Sequence, residues 1–341
     1  MRTSLGLLAV AAAVVALTQQ KAIKTGLTWE DYAYTMPDGV TAREVTYYSD
    51  GVACYGKMFF PKGFSPGDKR PRIILGQGWA GTHYSIEKYA ARFAGRGMVG
   101  MVIDYRGWGL SDGYPELARP KSLDFPDCRN CRDNNRFTRE TLPVTIKRTR
   151  LLPLKMVEDY RNAISFLQGE PGIDRDRIGV WGSSFAGGHS LVTAALDARV
   201  KAVVIQIPGI GGKNVKPGPY LLEGKLLEDA IKRARTGQGD EYETGYSVRR
   251  MVDIETQQAV AEYRPMHYVP RIGPRPVLIL VAEKEELMNN EHHGKAAFDM
   301  LAGPKEYIVL PGVTHFEAYT GEAFETGSKA AADWFSKYLG K

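Results

Sequence analysis

The chain has 341 residues, 43% hydrophobic and 25% charged, which is enough apolar matter for a large core and excludes a disordered or fibrous protein. Its formal net charge of +6 is carried by interspersed acidic and basic residues. That pattern describes a solvated basic surface and argues against a nucleic-acid partner, which calls for a concentrated positive face.

Arg2 precedes a run from Leu5 to Leu17 made only of Gly, Leu, Ala and Val. The run is shorter than the roughly 18 to 20 apolar residues of a membrane span and has the form of a signal-peptide h-region. Residues 1–18 are therefore expected to direct export to the periplasm or beyond, with membrane attachment only through an uncleaved anchor; a buried first helix is the alternative. Three cysteines, Cys54, Cys128 and Cys131, leave an odd count. In an exported protein Cys128 and Cys131 are placed to close a local disulfide, with Cys54 free on a strand. Free thiols are the other reading, and a lone C-x-x-C with no second pair and no nearby His makes a poor metal site.

After a linker to about Trp29, Arg43 to Tyr48 and Val52 to Phe60 alternate as two strands around a Ser49-Asp50-Gly51 turn, an antiparallel start. Arg72 to Leu75 reads as a buried strand ending in Gly76-Gln77-Gly78-Trp79, and Ser85 to Gly95 as an amphipathic helix. Met98 to Asp104 is the next strand, closed by Arg106-Gly107-Trp108-Gly109. Residues 114–155 then form a long, polar, proline-containing loop insertion of the kind that is usually functional or mobile. Met156 to Leu167 is helical, Ile178 to Trp181 is a strand, Phe185 to Leu196 a helix and Ala202 to Ile207 a strand. Residues 208–274 break the alternation with two helix-like pieces, Leu221 to Arg235 and Ile254 to Tyr263, and are expected to cap the strand ends. The core resumes with the strand Val277 to Ala282, a helix near Gly294 to Leu301, the strand Glu306 to Leu310 and a helix from Gly321 to Leu339.

Strands alternating with helices predict an α/β fold, a mostly parallel twisted sheet with helices on both faces and an inserted helical cap, with ligands at the carboxyl ends of the strands. The core is expected in two parts, 30–207 and 275–341.

The pivotal stretch is Gly182-Ser183-Ser184-Phe185-Ala186-Gly187-Gly188 between a strand and a helix. A serine on so sharp a turn has its hydroxyl pushed into the open above a helix N-terminus. The turn demands small residues two before and two after the nucleophile. Around Ser184 these are Gly182 and Ala186, whereas around Ser183 they would be Trp181 and Phe185, so Ser184 is the candidate. A serine hydroxyl needs a base and a group to orient that base. His315, just past the last strand, is the candidate base; His83, His189, His267, His292 and His293 read as structural or solvated. The acid should follow Val277 to Ala282, where Glu283, Glu285 and Glu286 stand together; Glu285 is preferred, with Glu286 next. Backbone N–H groups of Phe185 and Trp79 are the expected oxyanion donors. Trp108 and Tyr220 are the expected substrate-binding aromatics.

Gln77-Gly78-Trp79, Asp104-Tyr105-Arg106-Gly107-Trp108-Gly109, the Ser184 turn, the Glu283–Glu286 loop and Thr314-His315-Phe316 together resemble the α/β-hydrolase superfamily. They are most similar to its dienelactone-hydrolase-like and polyketide-transferase-like serine hydrolases. The resemblance spans about Arg43 to Leu339 and implies a cofactor-free Ser, acid, His hydrolase with Ser184 as nucleophile and His315 as base. Relatives usually carry Asp where this chain has Glu285, and His-Gly where it has Gln77-Gly78. The expected activity is hydrolysis of a small-molecule carboxylic ester or lactone through an acyl-enzyme. Peptidase or thioesterase action by the same triad is the second reading, and a non-catalytic binding protein on a hydrolase scaffold the third.

Overall fold

The structure is a computed structural model that describes residues 28–79, 81–118, 140–148, 150–212, 224–237 and 254–340. The apolar run near the N-terminus, Cys128, Cys131 and Tyr220 lie outside the described residues.

Thr41–Ser49 (β1) and Val52–Phe60 (β2) pair antiparallel with Ser49 opposite Val52. The two residues between them, Asp50 and Gly51, take φ of 50° and 80°, the left-handed turn that matches the twist of a tight hairpin. Arg70–Gly76 (β3) and Val99–Ile103 (β4) follow, with Glu87–Gly95 (α1) between them. Tyr114–Leu117 (β5) and Val144–Lys147 (β6) form a separate two-stranded ribbon. Then come Pro153–Gly169 (α2), Ile173–Ser183 (β7), Phe185–Leu196 (α3) and Val200–Gln206 (β8). Gly224–Thr236 (α4), Ile254–Glu262 (α5) and a 3-10 run, Pro265–Ile272, precede Val277–Ala282 (β9). Gly294–Met300 (α6), Lys305–Leu310 (β10) and Gly321–Leu339 (α7) complete the chain.

The main sheet runs β1-β2-β4-β3-β7-β8-β9-β10. β2 is antiparallel to β1 and β4, and every other pairing is parallel. Side chains alternate between two cores. Ile74, Met101, Ile103, Val180, Val203 and Ile205 face α2 and α3, while Ile73, Leu75, Val102, Trp181, Val204 and Leu278 face α1 and α7. This is the doubly wound arrangement expected of strands buried on both faces. From β3 the chain steps outward to β4 and then crosses back to β7, so the topological switch point lies between β3 and β7, where ligands bind. β3 ends at Gly76 and β7 at Ser183, which brings Gln77-Gly78 beside Ser184.

The structure departs from expectation in four places. The 114–155 stretch is not all loop: β5 and β6 pair with Leu117 opposite Val144 and Tyr114 opposite Lys147. Leu117, Val144 and Ile146 are exposed, so the ribbon leaves no burial pattern in the sequence. The helix expected from Ser85 starts as a 3-10 turn, His83–Ile86, and becomes α1 only at Glu87. α2 begins earlier than expected, with Pro153 in its first turn, where a missing N–H costs nothing. The elbow strand begins at Ile173 rather than Ile178. Among the described residues no helix is long and apolar enough to cross a membrane.

Candidate active site

Ser184 sits between β7 and α3 with φ 55° and ψ −120°. Positive φ in a residue with a Cβ costs on the order of 1–3 kcal/mol. The surroundings hold it there: its N–H donates to Gln206 O of β8 (2.9 Å), and its carbonyl accepts from Gly187 N (2.9 Å) and Gly209 N (2.8 Å). Ile207, also at positive φ (42°), lies in the same turn-dense corner and donates to Leu280 O. Relief of the strain gives a test. Ser184→Gly should be more stable than Ser184→Ala by about 1 kcal/mol, since glycine takes positive φ without a Cβ penalty; equal urea midpoints would contradict a strained elbow.

His315 Nε2 lies 3.0 Å from Ser184 Oγ, and its Nδ1 lies 2.8 and 2.9 Å from the two carboxylate oxygens of Glu285. Both side chains of this pair are nearly inaccessible, at 2% and 1% exposure. Since an ionised carboxylate only accepts, Nδ1 carries the proton and Nε2 is left to accept from the serine. Glu285 is fixed by its own loop, its Oε1 accepting from Leu287 N (3.0 Å) and Met288 N (3.1 Å). The three neighbouring glutamates divide the work. Glu286, exposed, accepts the backbone N–H of His315 (2.8 Å), and Glu283 accepts that of Gly312 (2.6 Å).

Phe185 is the first residue of α3, so its N–H belongs to the first turn, whose amides lack intrahelical acceptors. Gly78 lies close to Ser184: a Cβ there would lie 2.8 Å from Ser184 Cβ and 3.2 Å from Oγ. The Gly78–Trp79 peptide is thereby set beside the hydroxyl, and the Trp79 ring packs edge-on against Phe185 at 5.3 Å. Trp108 is buried at 3% exposure with its ring against Tyr105 (5.9 Å), a core position rather than an open wall.

His189 and His293 are structural, and burial sets their chemistry. His189 is enclosed by Phe185, Tyr105 and Tyr263, its Nδ1 is 2.9 Å from Tyr263 OH, and desolvation lowers its pKa to about 3. His293 Nδ1 accepts from Ile210 N (3.1 Å), and burial lowers its pKa to about 4 despite the opposing charge of Glu285. In the unfolded chain both titrate near pH 6.5. Below that value the unfolded state takes up protons that the folded state refuses until about pH 4 and about pH 3. Stability is therefore complete above about pH 6.5 and falls by up to about 1.4 kcal/mol per unit per histidine as the pH drops. Urea midpoints at pH 7.5 and 5 should differ accordingly, and His293→Asn should flatten the slope; a pH-independent midpoint would contradict burial of the neutral rings.

The sequence reading did not single out two further contacts. Ser183 Oγ donates to Tyr319 OH (2.8 Å), linking the elbow to the turn after His315. Asp104 Oδ2 receives His83 Nδ1 (2.7 Å); the sequence signal was the glycine five residues after Asp104, because a Cβ at Gly109 would overlap that carboxylate.

A fungal relative from Stachybotrys chlorohalonatus, polyketide transferase ATR5, is 25% identical over 92% of this chain and 98% of its own. The crystal structure of hypothetical protein PA2218 from Pseudomonas aeruginosa matches with a TM-score of 0.67 at 22% identity, covering 92% of this chain and 98% of that one. An acetyl xylan esterase from Paenibacillus sp. R4 matches with a TM-score of 0.55 at 21% identity, over 89% and 85% of the two chains. These likenesses in structure establish the α/β-hydrolase fold. The acetyl xylan esterase (AXE1) family matches residues 16–211, more than half of the sequence, and the chain belongs to that family, as a hydrolase acting on ester bonds.

Proposed function

We propose that the protein is an exported serine hydrolase that cleaves a small-molecule carboxylic ester or lactone through an acyl-enzyme on Ser184. One observation carries the reading: the unbroken line of contacts from Ser184 Oγ to His315 Nε2 and from His315 Nδ1 to Glu285. In the mechanism this line supports, His315 takes the Ser184 proton as Oγ attacks the ester carbonyl carbon. The oxyanion that forms is met by the N–H groups of Phe185 and Trp79, each worth about 2.7 to 4 kcal/mol in such sites. Collapse breaks the bond to the alkoxy oxygen, which leaves as an alcohol with the proton from His315. Water then attacks the acyl carbon, His315 accepts its proton and returns it to Oγ, and the acid is released. Glu285 holds the imidazole in the tautomer that accepts from serine.

Residues 208–274 are proposed as a cap. Thr256 Oγ1 of α5 accepts Leu151 N (2.9 Å), Met266 N donates to Ile210 O (3.2 Å), and Tyr263 packs against Phe185 (6.1 Å), all of which favour a lid over the strand ends. Residues 1–18 are proposed as the export signal. The polyketide-transferase name of one relative and the thiohydrolase name of another favour a second reading, in which the acyl group on Ser184 comes from a thioester, the thiol leaving with the proton from His315, or is handed to an acceptor other than water.

The test is hydrolysis of p-nitrophenyl esters from acetate to decanoate together with labelling by a fluorophosphonate, the adduct being mapped by mass spectrometry. Turnover with the label on the Ser184 peptide is the expected result. Neither turnover nor labelling would leave the binding-protein reading in its place.

A further inference from the structure

We propose that Asp104 and His83 are a positioning pair that clamps the oxyanion segment, Gln77-Gly78-Trp79, against Ser184. The inference rests on the serine-hydrolase reading above.

Asp104 follows the last residue of β4 and is completely buried. A buried carboxylate is costly unless its oxygens are filled, and here every partner is a donor. Oδ1 receives the backbone N–H of His83 (2.7 Å) and the Gln77 side-chain amide (3.4 Å). Oδ2 receives His83 Nδ1 (2.7 Å) and the backbone N–H of Leu110 (3.0 Å). Gln77 and His83 are the two ends of the loop that carries Gly78 and Trp79. One carboxylate thus ties the beginning and the end of that loop together, and ties both to the loop after β4 through Leu110.

The space around this carboxylate is reserved for it. Gly109 takes positive φ (49°), and any side chain there would collide with the carboxylate. Ser111 Oγ bonds to the Asp104 carbonyl (2.7 Å) and accepts Tyr55 N (2.8 Å), which anchors Asp104 to the hairpin. His83 is held on its other sides as well, its ring against Tyr55 (4.5 Å) and Nε2 facing Glu87 at 3.6 Å. Glu87 itself is bound by Lys57 Nζ (2.7 Å) and Tyr34 OH (2.8 Å), so it backs the far side of the histidine and belongs to the support of the clamp.

An oxyanion donor acts only if it is already in place when charge develops, and a displacement of about 1 Å in such a site costs on the order of 10²-fold in rate. Gly78 lies so near Ser184 that a Cβ there would come within 2.8 Å of Ser184 Cβ, and it directly follows Gln77, so loosening the clamp moves the Gly78–Trp79 peptide. The pair does not touch substrate. Its effect reaches the reaction through the Trp79 N–H.

The experiment uses the full chain and the p-nitrophenyl ester that the wild type turns over best. A trifluoromethyl ketone with the same acyl chain serves as a mimic of the tetrahedral adduct. His83→Ala is expected to lower kcat about 10²-fold with KM changed by less than about threefold, and to raise the ketone inhibition constant by a factor similar to the loss in kcat. His83→Asn, whose amide N–H replaces Nδ1–H, should restore kcat to within about tenfold of wild type. Asp104→Asn, which turns a donor toward a cluster of donors, should be at least as damaging as His83→Ala. Asp197→Asn is the control for plain structural support, since Asp197 is buried and paired with Arg199 (2.6 Å) at the opposite end of β8: it should lower the melting temperature and leave kcat and ketone affinity unchanged. The proposal is overturned if His83→Ala retains wild-type kcat, if its ketone affinity is unchanged while kcat falls, or if Asp197→Asn loses kcat in step with its melting temperature. Ser184→Ala, run in parallel, keeps the two readings apart, because persistent activity there would remove the serine mechanism whatever His83 does.

Discussion

Glu285→Gln is expected to lower kcat for ester hydrolysis by about 10⁴-fold, while Glu286→Gln costs less than about tenfold. The two glutamates are adjacent in sequence and both bind His315, so a comparison of charge alone would not separate them. Their partners do. Glu285 receives the ring Nδ1–H, and a glutamine amide presented to Nδ1 favours the opposite tautomer, with the proton on Nε2. That ring cannot accept from Ser184 Oγ, and the nucleophile loses its base. Glu286 receives only the backbone N–H of His315, which a glutamine oxygen accepts as well as a carboxylate does. Folding should be nearly intact in both variants. The measurement is kcat/KM on one ester for both variants, with Ser184→Ala as the floor. Equal losses, or the larger loss at Glu286, would transfer the orienting role to Glu286.

The same three-glutamate loop shows where sequence reading reaches and where it stops. Buried parallel strands such as Val277–Ala282 leave an unbroken apolar run, and the closing helix Gly321–Leu339 leaves a clear amphipathic period; the structure draws both with the bounds the pattern implies. Parallel topology then requires any acid contributed by β9 to follow Ala282. Which of Glu283, Glu285 and Glu286 turns inward depends on side-chain direction within an irregular loop, and no periodicity encodes that. β5 and β6 were invisible for a related reason, being four-residue strands with exposed apolar residues. The 3-10 run Pro265–Ile272 contains Pro270, a residue that reads as a helix breaker.

Much of what supports the site is polar and long-range in sequence. Ser183 meets Tyr319, Asp104 meets His83 and Gln77, and His293 meets Ile210. Each of these bonds joins loops at the carboxyl end of the sheet that are unrelated by local pattern. The glycines that make room for them are visible in sequence, but their reasons are not. Gly76 illustrates this: the space a Cβ would need is filled by the hydroxyls of Tyr105 and Tyr160, which in turn bond to Gln77 O (3.2 Å) and Trp181 O (3.0 Å). Backbone beside the nucleophile is thus held by tyrosines from elsewhere in the fold.

The second large effect separates two glycines that both lie beside Ser184. Gly182→Ala should fail to give stable enzyme, whereas Gly78→Ala should fold and lose most of its activity. A Cβ at Gly182 would overlap the carbonyl carbon and oxygen of Ala186 and the hydroxyl of Ser190, all on the first two turns of α3. The obstruction is helix backbone, and helix and strand are both pinned, so relief requires unwinding the elbow. The expected loss exceeds the roughly 1–3 kcal/mol typical of an overpacked core. At Gly78 the nearest atoms are Ser184 Cβ at 2.8 Å and, both at 3.2 Å, Ser184 Oγ and the Ser183 carbonyl oxygen, none of them nearer than 2.8 Å. The loop that carries Gly78 can shift outward by a few tenths of an ångström, which spares the fold and displaces the Gly78–Trp79 peptide from the oxyanion position. Loss of one such donor lowers kcat by about 10²- to 10³-fold. Circular dichroism and urea midpoints separate the first outcome from the second. A stable Gly182→Ala protein would show that the elbow tolerates a wider turn, and a fully active Gly78→Ala enzyme would remove Gln77-Gly78-Trp79 from the oxyanion site.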